Sequence, residues 1–170
     1  LSGGLRQRVM IAMVMAAQPS LLIADEPTTA LDVTIEEQIL DLLDKLVREK
    51  KKSLILVSHA LGAIRKITDR VYVMYAGNVV EVGKTKEVFE HPHHPYTIGL
   101  MAATPKLTGS GIADGIAGDI PSYINPPKGC RFASRCPRCT QECLEAPPIL
   151  ADMEDGRQVA CHHAGEEAAV

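Results

Sequence analysis

Leu21-Leu22-Ile23-Ala24-Asp25-Glu26-Pro27 is the stretch on which the fold turns. Four apolar residues in a row, closed by two carboxylates and a proline, read as a short strand buried on both faces, as in a parallel sheet. The carboxylates then stand at the carboxyl edge of that sheet, where open α/β folds bind ligands. Upstream, Ser2-Gly3-Gly4 opens a largely apolar helix, about Leu5 to Ala17, which Pro19-Ser20 stop. Downstream, Ile35, Ile39, Leu42, Leu43 and Leu46 form one helical stripe over Thr34 to Glu49. Thr34 and Glu37 have the spacing of a capping box, and Lys50, Lys51 and Lys52 lie where a helix end favours cations. Ser53 to Val57 is a second buried strand, ending at Ser58-His59, with a short helix from Leu61 to Ile67 behind it. Arg70 to Tyr75 and Asn78 to Val82 read as a hairpin across Ala76-Gly77. Strand, helix, strand, helix predicts an α/β fold with a parallel sheet and flanking helices.

Composition shifts after Gly83. Lys84 to His91 and Tyr96 to Ala103 read as short helices on either side of His91-Pro92-His93-His94-Pro95, whose two prolines favour a rigid connector over a metal site. Residues 104–129 are rich in Gly, Pro and Ser and read as a linker, and the cysteines begin at 130. The organisation expected is therefore 1–84, then 85–129, then 130–170. Lys and Arg number 18 against 21 Asp and Glu, a net charge of −3, and only six residues are aromatic. That leaves neither the basic surface nor the stacking rings of a nucleic-acid partner. The longest apolar run, Val9 to Ala17, is too short to span a membrane. The chain opens on Leu1 rather than Met and reads as the second half of a longer protein.

Three elements bear on phosphate chemistry. Ser2, Gly3 and Gly4 at a helix start leave backbone N–H groups open to an anion, though such a turn also serves simply to begin a helix. Asp25 suits Mg²⁺, which binds through one or two carboxylates and keeps several waters. Glu26 beside it suits the positioning or deprotonation of a water; the plain alternative for both is a polar turn. His59 ends the next strand, either to contact a terminal phosphate or to serve as a structural hydrogen-bonder.

Taken in order, Leu-Ser-Gly-Gly-x-x-Gln-Arg, Asp-Glu-Pro-Thr-Thr-Ala-Leu-Asp and Ser-His closely resemble the ATP-binding cassette (ABC) ATPases over residues 1–84. The resemblance implies that Ser2, Gly3, Gly4 and Gln7 belong to the signature motif, which meets ATP held by an opposite subunit. It implies further that Asp25 serves Mg²⁺, that Glu26 is the catalytic glutamate, that Ala30-Leu31-Asp32 is the D-loop and that His59 is the switch histidine. Relatives often carry Asp after that histidine, where this chain has Ala60. The family's Gly-x-x-x-x-Gly-Lys-[Ser/Thr] phosphate loop, Gln loop and adenine-stacking aromatic are absent from these 170 residues. The chain alone is therefore expected neither to bind ATP tightly nor to hydrolyse it.

Cys130, Cys136, Cys139, Cys143 and Cys161 crowd into one short segment. Disulfides, structural zinc and an iron–sulfur cluster all accept such a set. His162 and His163 offer further zinc ligands, and spacing alone leans to zinc because no ferredoxin-type run of repeated Cys-x2-Cys is present. The sequence from His94-Pro95-Tyr96-Thr97 through Pro-Pro-x-Gly-Cys to Val-Ala-Cys-His is similar to the C-terminal extension of oligopeptide/dipeptide importer ATPases. That resemblance implies a [4Fe–4S] cluster on Cys130, Cys136, Cys143 and Cys161, with Zn²⁺ the alternative and Cys139 the spare thiol.

The expectation as a whole is the C-terminal half of an ABC nucleotide-binding domain joined to a small Cys-rich metal-binding module. With ATP and Mg²⁺ it drives import of peptides, or of nickel or related solutes. Its partners are a second ATPase subunit, the transmembrane permease and, indirectly, a substrate-binding protein, and its place is the cytoplasmic face of the membrane. A non-transport ABC ATPase and a stand-alone iron–sulfur or zinc module are the competing readings.

Overall fold

The computed structural model describes residues 2–104 and 115–165. Ten residues of the expected linker, 105–114, and the polar tail at 166–170 lie outside them. The chain divides into two compact units, Leu1–Thr68 and Asp69–Val170.

In the first unit, helix α1 (Gly3–Ala16) precedes strand β1 (Leu21–Asp25), helix α2 (Val33–Glu49), strand β2 (Ser53–Val57) and helix α3 (Leu61–Ile67). The two strands pair in parallel, from Leu21 opposite Ser53 to Asp25 opposite Val57. A parallel pair needs a crossover between its strands, and α2 supplies it. The stripe on α2 buries Ile39 and Leu43, joined by Leu40, and Leu40 packs with Ala63 and Ile67 of α3 and with Leu54 and Leu56 of β2. Ser2 caps α1, its hydroxyl accepting from the Leu5 N–H. The cap of α2 is Asp32, whose carboxylate accepts from the Ile35 N–H at 3.0 Å. Thr34 is already inside the helix, so the capping box expected there does not form.

The strands are covered on one face only. Ile23 is 70% exposed, Ile55 and Val57 are half-exposed, and α1 leaves Leu5, Val9, Met10, Met13 and Val14 open as well. Burial on both faces, expected from the apolar runs, is thus not met within this unit. Gly4 is its most demanding position: a Cβ there would stand 2.5 Å from Ile35 Cγ2, where α1 meets α2. Gly4→Ala is expected to cost about 2 kcal/mol through overpacking, read as a lowered denaturation midpoint at unchanged m-value.

The second unit is built on an antiparallel sheet. Strands β3 (Arg70–Tyr75) and β4 (Asn78–Lys84) form the expected hairpin, followed by helices α4 (Thr85–Glu90) and α5 (Pro95–Ala102). A 3-10 turn at Ala133–Arg135, helix α6 (Gln141–Glu145) and two-residue strands β5 (Ala151–Asp152) and β6 (Gln158–Val159) complete it. The strand order is β3-β4-β6-β5, with Glu81 opposite Val159. Val73, Tyr75, Val80, Val88 and Phe132 form one core, with Tyr96, Leu100, Cys130 and Cys136 packed on it. Sequence reading groups the hairpin with residues 1–84; here it carries the sheet on which the cysteine segment is built. The cysteine segment therefore has an apolar foundation of its own.

A buried polar network fastens this unit. Glu81 is fully buried, and its two carboxylate oxygens accept from the N–H groups of His93 and His94 at 2.9 and 3.0 Å, where α5 begins. Arg157 lies 3.9 Å from the same carboxylate, pairs with Asp155 and donates to the carbonyls of Glu87 and His91. These bonds account for the histidine-proline stretch as a rigid connector. Glu81→Ala strands the two amides in the interior, while Arg157 keeps Asp155, and is expected to cost about 2–5 kcal/mol, measurable as cooperative loss of the unit's sheet at a lower temperature. Among the described residues, no helix is long and apolar enough to cross a membrane.

Candidate functional site

The parallel register decides the geometry of the first site. Because Asp25 lies opposite Val57, the residues that follow the two strands, Glu26 and Ser58-His59, emerge side by side. The Glu26 N–H donates to the Val57 carbonyl at 2.9 Å and fixes the turn. Glu26 takes a left-handed backbone (φ 46°), as does Ala30 (φ 64°). Such conformations in residues other than glycine are uncommon, and they concentrate where structure serves function.

Glu26 Oε1 accepts from the His59 backbone N–H at 3.1 Å and lies 2.7 Å from His59 Nδ1. Glu26 Oε2 accepts from the Thr29 hydroxyl at 3.0 Å. The His59 hydrogen bond chiefly, against an opposing effect of desolvation and with Thr29 adding to it, lowers the pKa of the Glu26 carboxyl from its ordinary value. The His59 ring is 82% exposed, so this pair faces solvent and is open to a ligand. Asp25 is exposed at the same edge. The arrangement offers one hydrogen-bonded carboxylate, a second exposed carboxylate one residue earlier and an imidazole, which is the equipment for orienting a water beside a metal-bound phosphate.

The remaining positions expected to meet nucleotide lie elsewhere in the first unit. Ser2 and Gly3 are exposed at the start of α1, Gly4 is buried against Ile35, and Gln7 is half-buried on the same helix. Asp32 spends a carboxylate oxygen on its helix cap. Thr29 is a partner of Glu26 that motif reading passed over, although its hydroxyl three residues beyond the carboxylate is the available signal.

In the second unit, Cys130, Cys136, Cys143 and Cys161 line one enclosed pocket with His94, Phe132, His162 and His163. Backbone turns gather them: the Cys130 N–H donates to the Cys143 carbonyl at 2.7 Å, and Cys136 closes the turn from Ala133. Gly129 permits this approach, since a Cβ there would stand 2.2 Å from the Cys143 carbonyl oxygen. All five cysteines are thiols rather than disulfides. Burial pushes the Cys130 thiol up and Cys136 up to about 11, and the neighbouring thiols add to both. A cation at this point would reverse that balance, because coordinated thiols lose their protons. Even so, among the described residues no group of three or more His, Cys, Asp or Glu is arranged to hold a metal ion as placed.

The histidines are committed to hydrogen bonds. His162 Nε2 lies 3.0 Å from the Ala146 carbonyl, and His163 Nε2 lies 3.0 Å from the Thr140 hydroxyl. His94 is buried and caps α5, its Nδ1 accepting from the Tyr96 N–H at 3.0 Å. Burial pushes its pKa down to about 4, so the ring is neutral. Sequence reading gave His94 no more than a connector's role; its burial on Phe132 beside the cysteines carries no local sequence signal.

Comparison with known proteins agrees with this picture. Residues 80–143 match the family described as "Oligopeptide/dipeptide transporter, C-terminal region", and residues 1–29 match the ABC transporter family. The oligopeptide transport ATP-binding protein OppD of Salmonella typhimurium is 50% identical over 98% of this chain and 50% of its own length. AppD of Bacillus subtilis is 46% identical over 99% of the chain and 52% of its own length, and the dipeptide transport ATP-binding protein DppD of the same species is 46% identical over 94% and 48%. The chain thus spans about half the length of the curated relatives it matches. Among solved structures, cbiO1 of Clostridium perfringens, part of the ABC transporter complex cbiONQ, is 37% identical over 54% of this chain and 36% of that one, with a TM-score of 0.51. An ABC transporter solved in an inward-facing conformation is 26% identical over 59% of this chain and 38% of that one, at a TM-score of 0.52. Nearly the whole chain is thus similar to oligopeptide and dipeptide transport ATP-binding proteins, and residues 80–143 match the model of the C-terminal region of such transporters.

Proposed function

We propose that the chain is part of the ATPase subunit of a peptide importer, in which two such subunits close on ATP and reopen on hydrolysis to drive a transmembrane permease. The observation that carries this is the Glu26–His59 pair at the ends of two strands in register. Glu26 orients the attacking water and receives its proton, His59 holds the Glu26 carboxylate in place and reaches the terminal phosphate, and Asp25 is the residue that would hold Mg²⁺. Mg²⁺ supplies charge neutralisation at the phosphates. Ser2, Gly3, Gly4 and Gln7 present backbone N–H groups and a short polar surface to the nucleotide of the opposing subunit. Asp32, already ordered by its cap, meets the partner across the interface.

The exposed apolar side chains of α1, β1 and β2 support this reading, because relatives twice as long have further chain with which to cover such a face. The permease, a second ATPase subunit and, indirectly, a substrate-binding protein are the partners, and the subunit works at the cytoplasmic face of the membrane without entering it. With 18 Lys and Arg against 21 Asp and Glu, the composition offers no excess of positive charge for nucleic acid. Lacking a phosphate loop, the 170-residue chain alone is expected to show no turnover and only weak ATP binding. Measurable phosphate release by the purified chain, insensitive to Glu26→Gln, would overturn the assignment of a composite site.

The same reading gives Cys130, Cys136, Cys143 and Cys161 a [4Fe–4S] cluster, which would supply a covalent staple between the turn at 130–136, α6 and the segment after β6. Their convergence on one enclosed pocket supports this. Four thiolates suit a single tetrahedral zinc as well, so Zn²⁺ is the alternative occupant. Iron, sulfide and zinc analysis of protein purified without oxygen decides between the two.

A further inference from the structure

Four of the five cysteines line the pocket, and Cys139 does not. It is exposed, while Cys143 is 6% exposed at the pocket wall. The two are neighbours around one turn. The Cys143 N–H donates to the Thr140 carbonyl at 3.1 Å, the Cys139 sulfur lies 3.6 Å from that same carbonyl, and the Thr140 hydroxyl lies 3.5 Å from the Cys143 sulfur. Cys143 is thus shielded from solvent by a protein turn and adjoined by a thiol that solvent reaches freely.

We propose that Cys139 is an oxidation site that closes a disulfide with Cys143 and so withdraws one thiolate from the pocket. The oxidant is a low-molecular-weight disulfide such as glutathione disulfide. The Cys139 thiolate attacks one of its sulfurs, forms a mixed disulfide and releases one thiolate. The Cys143 thiolate then attacks the Cys139 sulfur, the protein disulfide forms, and the second small thiolate leaves. Two protein thiols are oxidised, one small disulfide is reduced to two thiols, and two protons pass from protein to leaving groups. The pairing itself stands on the turn geometry, while its consequence, loss of a ligand from the metal group, rests on the cluster reading above.

The test uses the intact subunit. Trypsin releases residues 139–157 as one peptide, because no Lys or Arg lies between Arg138 and Arg157. Metal-free wild-type protein exposed to glutathione disulfide is expected to lose two hydrogens in that peptide, reversibly with dithiothreitol. The Cys139→Ser variant is expected to keep Cys143 reduced. A stable glutathione adduct on Cys139 with no closure, or pairing of Cys143 with Cys130, Cys136 or Cys161, overturns the proposal. In loaded protein, iron is expected to fall in step with the disulfide in wild type and to persist in Cys139→Ser. Untreated protein that holds neither iron nor zinc refutes the metal reading, and the peptide map still judges the pair.

Discussion

Replacing Glu26 by Gln in the intact subunit is expected to lower ATP turnover by roughly 10²- to 10⁴-fold, the usual worth of a positioned general base. The substitution preserves shape and most hydrogen bonding, since the amide oxygen can still accept from the His59 backbone N–H that now lies 3.1 Å from Oε1. It removes the negative charge that the His59 ring favours at 2.7 Å and with it the capacity to take a proton from water. Asp25 is untouched, so ATP binding is expected to persist and ATP-bound dimers to accumulate. Phosphate release and size-exclusion chromatography in ATP measure the two effects. Near-normal hydrolysis would remove Glu26 from its assigned role.

The second large effect concerns the cysteines. Cys136→Ser in anaerobically purified protein is expected to take iron from about four per chain to nearly none and to abolish a broad absorption near 400 nm, because a [4Fe–4S] cluster requires its full thiolate set. Cys139→Ser is expected to keep both. The contrast is informative because the two residues are three apart in sequence and differ in placement: Cys136 packs on the Tyr75–Phe132 core and lines the pocket, while Cys139 faces solvent. Equal loss in both variants would contradict the ligand assignment, and one zinc per chain in the wild type would replace the cluster by a structural ion.

What the sequence shows, and what it hides, follows the range of the interactions. The elements of the first unit are local in origin. The apolar run at Leu21–Asp25, the stripe on α2 and the strand at Ser53–Val57 each state their own periodicity, and all three form. The cap of α2 is misread by two residues because both Thr34 and Asp32 are accepted cap types, and the chain leaving the Thr28–Leu31 turn places Asp32, the better of the two, at the cap. In the second unit the deciding contacts are long-range. β5 and β6 are two residues each, too short for any alternation to show, and the pairing of β6 with β4, with β5 outside it, carries the hairpin into the cysteine-bearing unit. Glu81 looks like an ordinary surface carboxylate in Asn78-Val79-Val80-Glu81-Val82, yet it is fully buried because two backbone amides and Arg157 reach it from segments distant in sequence. The Glu26–His59 pair was legible as motif residues, while their direct hydrogen bond, and the part played by Thr29, came only from the register of the two strands.

The central claim is that ATP hydrolysis at this site is coupled to peptide import. It is tested most directly by placing the intact subunit, its partner ATPase and the permease in lipid vesicles and measuring phosphate release as peptide-loaded substrate-binding protein is added. The account predicts that hydrolysis rises with loaded binding protein, stays low with the empty form and vanishes with Glu26→Gln. Hydrolysis indifferent to peptide and binding protein, yet stimulated by nucleic acid, would contradict it.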